Sequence, residues 1–234
     1  MIKIENTEVF GWETAIRGMR NPMNSWDKSD SVWKDRYDHI ADETKCDYFI
    51  GKNDFALMKR LVKSGSDHSK FMRMINVTMD ITAPMYWWKE YDTYKVGTVR
   101  NSCSTMHKIA EKEFTLDDFS CERLFYWDIS HDVTAPPTIP MNLLQDIIYF
   151  LNKARELYLK ETDDDLKKGY WWQMIQLLPS SYNQRSTMQM NYQVLRSIYH
   201  ARKNHKLDEW RKFCNWIETL PYSELITDKG ESYE

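Results

Sequence analysis

Between Phe71 and Lys108 the chain changes its hydrophobic period, and this switch restricts the fold more than any other feature. Apolar residues fall at Phe71, Ile75, Val77, Met79 and Ile81, with Arg73 at the remaining inward position and Asn76, Thr78, Asp80 and Thr82 opposite. A period of two predicts a strand with one buried face. Ala83-Pro84 then ends the strand. Proline is tolerated in a first helical turn, so Thr82 or Ala83 is predicted to cap an aromatic-rich helix over Met85 to Tyr94, closed by Gly97. A polar loop follows from Gly97 to Thr105, holding Thr98, Arg100, Asn101, Ser102, Cys103, Ser104 and Thr105, with Lys95 just before it. Hydroxyls, a thiol, an amide and two cations gathered between ordered elements are the chemistry of an anion or nucleotide pocket.

The flanking sequence repeats this mixture of periods. Met1 to Phe10 reads as an edge strand, Trp12 to Met19 as a short helix, and Asn21 to Asp30 as a loop. A helix over Asp54 to Lys63 takes Asn53 or Asp54 as its cap and Gly65 as its stop. Helices are predicted for Met106 to Glu113 and Thr115 to Tyr126, and an extended connector for Val133 to Pro140. Leu143 to Tyr158 carries a continuous apolar stripe, and Thr162 caps a helix that stops at Pro179. Arg185 to Met190 is strand-like, Asn191 caps a helix through Arg202, and Asp208 caps a last helix ended by Pro221. With 234 residues, 14% aromatic content and only seven glycines and seven prolines, no linker or repeat divides the chain. The expectation is one α+β domain over residues 1–234, an antiparallel or mixed sheet with a helical layer, and a frayed tail at 227–234.

Charge and motifs exclude several functions. A net charge of −3 and a pI near 6.1 supply no global field for nucleic acid, so any phosphate must meet a local cation cluster. Cys46, Cys103, Cys121 and Cys214 form no CxxC pair and read as reduced thiols of a cytoplasmic protein. No run approaches the roughly 18 apolar residues of a membrane span. His39, His68, His107, His131, His200 and His205 show no metal spacing, so no metal is expected. Neither GxGxxG nor a P-loop is present. Cys103 between Ser102 and Ser104 could act as a nucleophile with His107 one helical turn on, but loop hydroxyls more commonly hydrogen-bond. Met85 to Trp88 and Tyr170 to Trp172 could stack a flavin or base, though aromatics at helical spacing are mostly core or subunit interface. On the helix after Asn191, Arg196, His200 and Lys203 share one side, which fits a solvated basic face and an anion site equally.

The order of these features resembles the flavin-dependent thymidylate synthase (ThyX) family over most of the chain. That family has a strand, Ala-Pro, a helix carrying Arg-His-Arg, then seven residues and Ser. Here Ala83-Pro84 stand at the turn, Thr93, Tyr94 and Lys95 at the Arg-His-Arg, and Cys103 at the serine. The family's Leu-Pro, strand, Asn-x-Arg, distal Arg and Trp fall on Leu178-Pro179, Asn191, Gln193, Arg202 and Trp210, and its upstream Gly-His on Gly65 and His68. The resemblance implies FAD as cofactor, methylenetetrahydrofolate and NADPH as co-substrates, and methylation of the pyrimidine nucleotide dUMP in a homotetramer with sites at subunit junctions. By position it implies catalytic roles for Arg202 and Cys103. It places the substrate against Arg100, Ser102, Cys103, Ser104, Gln193 and Arg202, and the flavin against Thr93, Tyr94, Lys95, Asn101 and Asn191. The alternative is a protein of the same fold that binds a pyrimidine nucleotide without thymidylate synthase activity.

Overall fold

The structure, a computed structural model, describes residues 1–36, 45–130, 134 and 136–229. His39, His131, Val133 and tail residues 230–234 lie outside the described residues, as does the side chain of Cys46. Strand β1 (Lys3–Phe10) leads into α1 (Trp12–Arg20), and the 21–30 segment holds two 3-10 turns. A hairpin of β2 (Val32–Arg36) and β3 (Lys45–Phe49) comes next, antiparallel with Val32 opposite Phe49. The chain continues through α2 (Lys52–Lys63), β4 (Asn76–Pro84), α3 (Met85–Tyr91), β5 (Thr98–Ser102) and α4 (Thr105–Lys108). It ends in α5 (Pro140–Lys160), α6 (Asp164–Leu177), β6 (Asn183–Asn191), α7 (Tyr192–Arg202), α8 (Asp208–Glu218) and α9 (Glu224–Thr227). Four strands form one sheet in the order β1-β4-β6-β5. This mixture of helix and sheet is the α+β class predicted from the period switch.

Several local expectations are corrected. The run from Phe71 begins as a 3-10 turn, Lys70–Arg73, so Arg73 is exposed and does not interrupt a strand face; the strand starts at Asn76. The polar loop after Gly97 is largely β5, an edge strand whose half-buried Thr98 and Arg100 give no apolar alternation to read. The helices predicted over 106–113 and 115–126 shrink to α4 and to one 3-10 turn, Leu116–Asp118, closed by a Thr115–Asp118 capping box. Asp163, not Thr162, caps α6, accepting from the Asp165 and Leu166 N–H groups. Pro84 holds the cap position of α3. It offers no side-chain acceptor, so the Met85 and Tyr86 N–H groups donate instead to the Tyr182 and Ser180 carbonyls, each at 3.0 Å.

The chain divides into two compact units. The first comprises Met1–Lys3, Ile81–Thr93 and Asn101–Thr187, and the second Ile4–Asp80, Tyr94–Arg100 and Met188–Glu234. The first unit packs the α5 stripe of Met141, Leu144, Ile148, Leu151 and Ala154 against Ile109, Phe114, Phe119 and Met174. In the second, Tyr192 is the hub: its ring meets Trp12 edge-on at 5.1 Å, its N–H donates to Ile75 and its hydroxyl to Pro221. Burial pushes that phenol far above its ordinary range. Burial likewise pushes the Cys214 thiol up to about 11, so it is a core thiol and not a nucleophile. Among the described residues no helix is long and apolar enough to cross a membrane.

Asp54, expected as a helix cap, is a buried ion instead. Its carboxylate accepts from Arg20 Nε at 2.6 Å, from the Ser29 and Ser31 hydroxyls at 2.6 Å each, and from two backbone N–H groups. Asp30 takes over the capping, accepting from the Asn53 and Asp54 N–H groups at the start of α2. Burial pushes the Asp54 carboxyl up, but the three side-chain hydrogen bonds and the Arg20 charge outweigh it and hold the carboxyl below its ordinary range. A depressed carboxyl contributes stability above its unfolded value near 3.9, and that stability is lost as pH falls through the folded value. Removing one partner of a buried pair costs about 3–5 kcal/mol. Asp54→Ala is therefore expected to lower stability by that amount in urea denaturation at pH 7, and the gap to the native chain should begin to narrow below about pH 4 and go on narrowing as the pH falls further. A gap that is constant between pH 7 and pH 3 contradicts the assignment.

Candidate functional site

The predicted site residues divide between the two units. In the second, Tyr94 ends the 3-10 turn Asp92–Tyr94 and meets Arg202, the last residue of α7. Arg202 Nε donates to the Tyr94 hydroxyl at 2.9 Å, and the guanidinium carbon lies 5.6 Å from the Tyr94 ring centre and 4.9 Å from that of Trp210. The two rings stand edge to face at 5.8 Å. Two aromatic faces and a phenol oxygen thus fix the direction of the one arginine that matches the family position. Lys95, next in the chain, is exposed, and Arg100 is half-buried on β5.

Local backbone geometry holds this turn in place. Thr98 Oγ1 donates to the Tyr94 carbonyl at 3.0 Å, and Gly97 adopts φ +78°. A Cβ on Gly97 would stand 3.1 Å from Val194 Cγ2 and 3.3 Å from Asn191 Nδ2, so the turn lies against the start of α7. Asn191 caps that helix as predicted, its Oδ1 accepting from the Val194 N–H at 3.0 Å. Gln193 Oε1 accepts from the buried Ser69 hydroxyl at 3.2 Å. Of the basic face read on α7, Arg196 and His200 meet this chain's own Asp228, and Lys203 lies over the Tyr199 ring. Arg196 donates to both Asp228 oxygens at 2.7 and 2.8 Å, and His200 Nε2 lies 3.2 Å from the same carboxylate.

In the first unit, Cys103 and Ser104 line a cleft of about 330 Å³. The Cys103 N–H donates to the Arg185 carbonyl at 2.9 Å, and Gln184 Nε2 donates to the Cys103 carbonyl at 2.9 Å and to Thr105 Oγ1 at 3.1 Å. Ser104 caps α4 by accepting from the His107 N–H, so His107 serves Ser104 through its backbone. Lys108, Lys112 and Arg185 bring positive charge to the cleft, with Asp117 and Asp118 opposed and Lys112 ion-paired to Asp118. Burial pushes the Tyr182 hydroxyl up, with the Asp118 charge adding to it. Sequence reasoning missed Tyr182, Gln184 and Lys112, which carry no motif: Gln184 reaches the cleft on β6, Tyr182 through its bridge to Phe119, and Lys112 from the segment after α4. Asn101 and Ser102 are exposed on β5 and do not line the cleft, and Thr93 donates to its own helix at the Glu90 carbonyl, 2.9 Å away.

No protein-family model and no curated relative matches the sequence. Solved structures do. ThyX from Helicobacter pylori with FAD and dUMP superposes at a TM-score of 0.61 with 14% identity, covering 98% of both chains. The chain has the ThyX fold. A second H. pylori ThyX complex with FAD and dUMP gives 0.61 over 97% of this chain and 98% of that one, again at 14% identity. The UMP/dUMP methylase PolB from Streptomyces cacaoi, bound with 5-Br dUMP, gives 0.59 at 14% identity over 98% of this chain and 96% of that one.

Within the ThyX fold, the Tyr94 turn depends on Gly97 for both its positive φ and its missing Cβ. Gly97→Ala is expected to cost more than about 1 kcal/mol, seen as a lowered midpoint in thermal denaturation. An unchanged midpoint contradicts the packing of this turn on α7.

Proposed function

We propose that the protein is a flavin-dependent enzyme that methylates a pyrimidine nucleotide, dUMP in the first instance, with methylenetetrahydrofolate as carbon donor and NADPH as reductant. The observation that carries this reading is the fold likeness, end to end, to a ThyX that holds FAD and dUMP. The likeness to a UMP/dUMP methylase supports the same nucleotide class. The exposed Lys95 ammonium and the Arg202 guanidinium, oriented by the Tyr94 oxygen, are cations suited to an anionic ligand. A bound flavin supplies the two electrons needed to reduce a transferred methylene to a methyl group.

In this reading Arg202 polarises the pyrimidine or holds its phosphate, with Arg100 and Gln193 as further substrate contacts. Thr93, Tyr94, Lys95, Asn101 and Asn191 contact the flavin. Cys103 lines the nucleotide cleft with Ser102 and Ser104 as neighbours, and acts at the place of the family serine. A second reading, nucleotide binding without thymidylate synthesis, is favoured by one observation: Arg202 Nε is already committed to Tyr94. A yellow preparation, or a colourless one that takes up added FAD, supports the enzyme, and tritium release from 5-labelled dUMP completes the case. A protein that binds no FAD overturns it, and dUMP binding without tritium release selects the second reading. Arg202→Ala is expected to weaken dUMP binding at least about tenfold in calorimetry, the worth of a charged hydrogen bond; unchanged affinity removes that assignment.

The homotetramer belongs to the same proposal. Along α5, Leu143, Phe150 and Leu157 recur every seven residues and are 61%, 44% and 48% exposed. Those three positions are symmetric about Phe150, so an antiparallel second copy crossing there would set Leu143 against Leu157 and Phe150 against its own counterpart. Phe150→Asp is expected to reduce the assembly to a smaller species in analytical ultracentrifugation, and an unchanged sedimentation coefficient excludes α5 from the contact.

A further inference from the structure

A second cleft, of about 360 Å³, opens in the second unit where β1 passes into α1. Its walls are Phe10, Trp12, Trp33 and Tyr48, and its one charged lining residue is Glu13. Trp33 and Tyr48 stand at 64° with ring centres 5.1 Å apart, forming two walls of a corner. The Trp33 indole N–H donates to Glu13 Oε2 at 3.3 Å, which ties the carboxylate to the aromatic wall. Trp33 is 56% exposed, so its ring is spread over solvent instead of being packed away. The volume falls within the range of small-molecule sites.

The chemistry of this corner is selective. Aromatic faces carry negative quadrupole potential and attract cations, and they do so most strongly where water is partly excluded. A single carboxylate adds net negative charge, and among the described residues no lysine, arginine or histidine lines the cleft. The field is felt at Tyr48: burial pushes its hydroxyl up, and the Asp54 and Glu13 carboxylates push it further. An anion would be repelled by Glu13. An ammonium too small to touch several rings would stay hydrated.

We propose that the cleft formed by Phe10, Trp12, Glu13, Trp33 and Tyr48 binds a small organic cation bearing a quaternary ammonium group. The site is separate from the residues assigned to nucleotide and flavin, so it stands whether or not those assignments hold. Calorimetric titration of the full chain with choline tests it, beside 3,3-dimethyl-1-butanol, the neutral carbon isostere. Choline is expected to saturate at one site with the alcohol at least about tenfold weaker, because only the cation meets the ring faces and the carboxylate. Trp33→Ala should weaken choline at least about tenfold, and Glu13→Gln about fivefold with the rings retained. Because both residues are exposed, circular dichroism should show both variants folded. The proposal is overturned if the alcohol binds as tightly as choline, if choline does not saturate below about 10 mM, a generous limit for a cage of this kind, or if folded Trp33→Ala and Glu13→Gln variants both keep native affinity.

Discussion

One buried carboxylate orders much of the second unit. Asp54 is fully enclosed, and an ionised carboxylate there is tolerable only because five donors converge on it. Those donors come from Arg20 at the end of α1 and from Ser29, Asp30 and Ser31, the residues that lead into the β2–β3 hairpin. Arg20 also donates to the Ser25 and Lys28 carbonyls, so the same ion pair shapes the turn-rich segment between α1 and the hairpin. The aromatic cleft at Glu13 follows from this arrangement, because Trp33 and Tyr48 are carried by that hairpin. A neutral residue at position 54 would leave the Arg20 guanidinium buried beside four unsatisfied donors.

Charge is redistributed at the place where the ThyX resemblance concentrates it. The resemblance sets Arg-His-Arg against Thr93, Tyr94 and Lys95, and in the fold Tyr94, at the position of the histidine, is a partner for Arg202. The Arg202 guanidinium lies beside the rings of Tyr94 and Trp210 and donates to the phenol oxygen, contacts that orient it. On α7, by contrast, Arg196 and His200 are taken up by Asp228 and serve to anchor the segment after α9. Arg196 and Arg202, six residues apart on one helix, therefore meet different partners.

The strongly periodic features were legible from residue order. The strand into Ala83-Pro84, the α5 stripe and the Asn191 cap each appear where the spacing places them, since burial of one face and capping of free N–H groups are local demands. The edge strand β5 was not legible, because an edge strand with polar residues on both faces has no period to detect. The hairpin was missed for a related reason: five residues such as Val32–Arg36 alternate too briefly. Asp54 was misread as a cap because Asp before an apolar run normally is one; its true partner, Arg20, lies 34 residues earlier.

Sequence alone determined the α+β class, the order of the main elements, and the resemblance that directs attention to Cys103, Asn191 and Arg202. These rest on interactions within a few residues or on the spacing of apolar side chains. Tertiary structure decided what each polar residue meets: Tyr94 with Arg202, Cys103 with Gln184 and Arg185, Arg196 with Asp228, and Glu13 with Trp33. Hydrogen bonds and ring contacts depend on distances of a few ångströms between positions far apart in the chain, and no spacing rule encodes them.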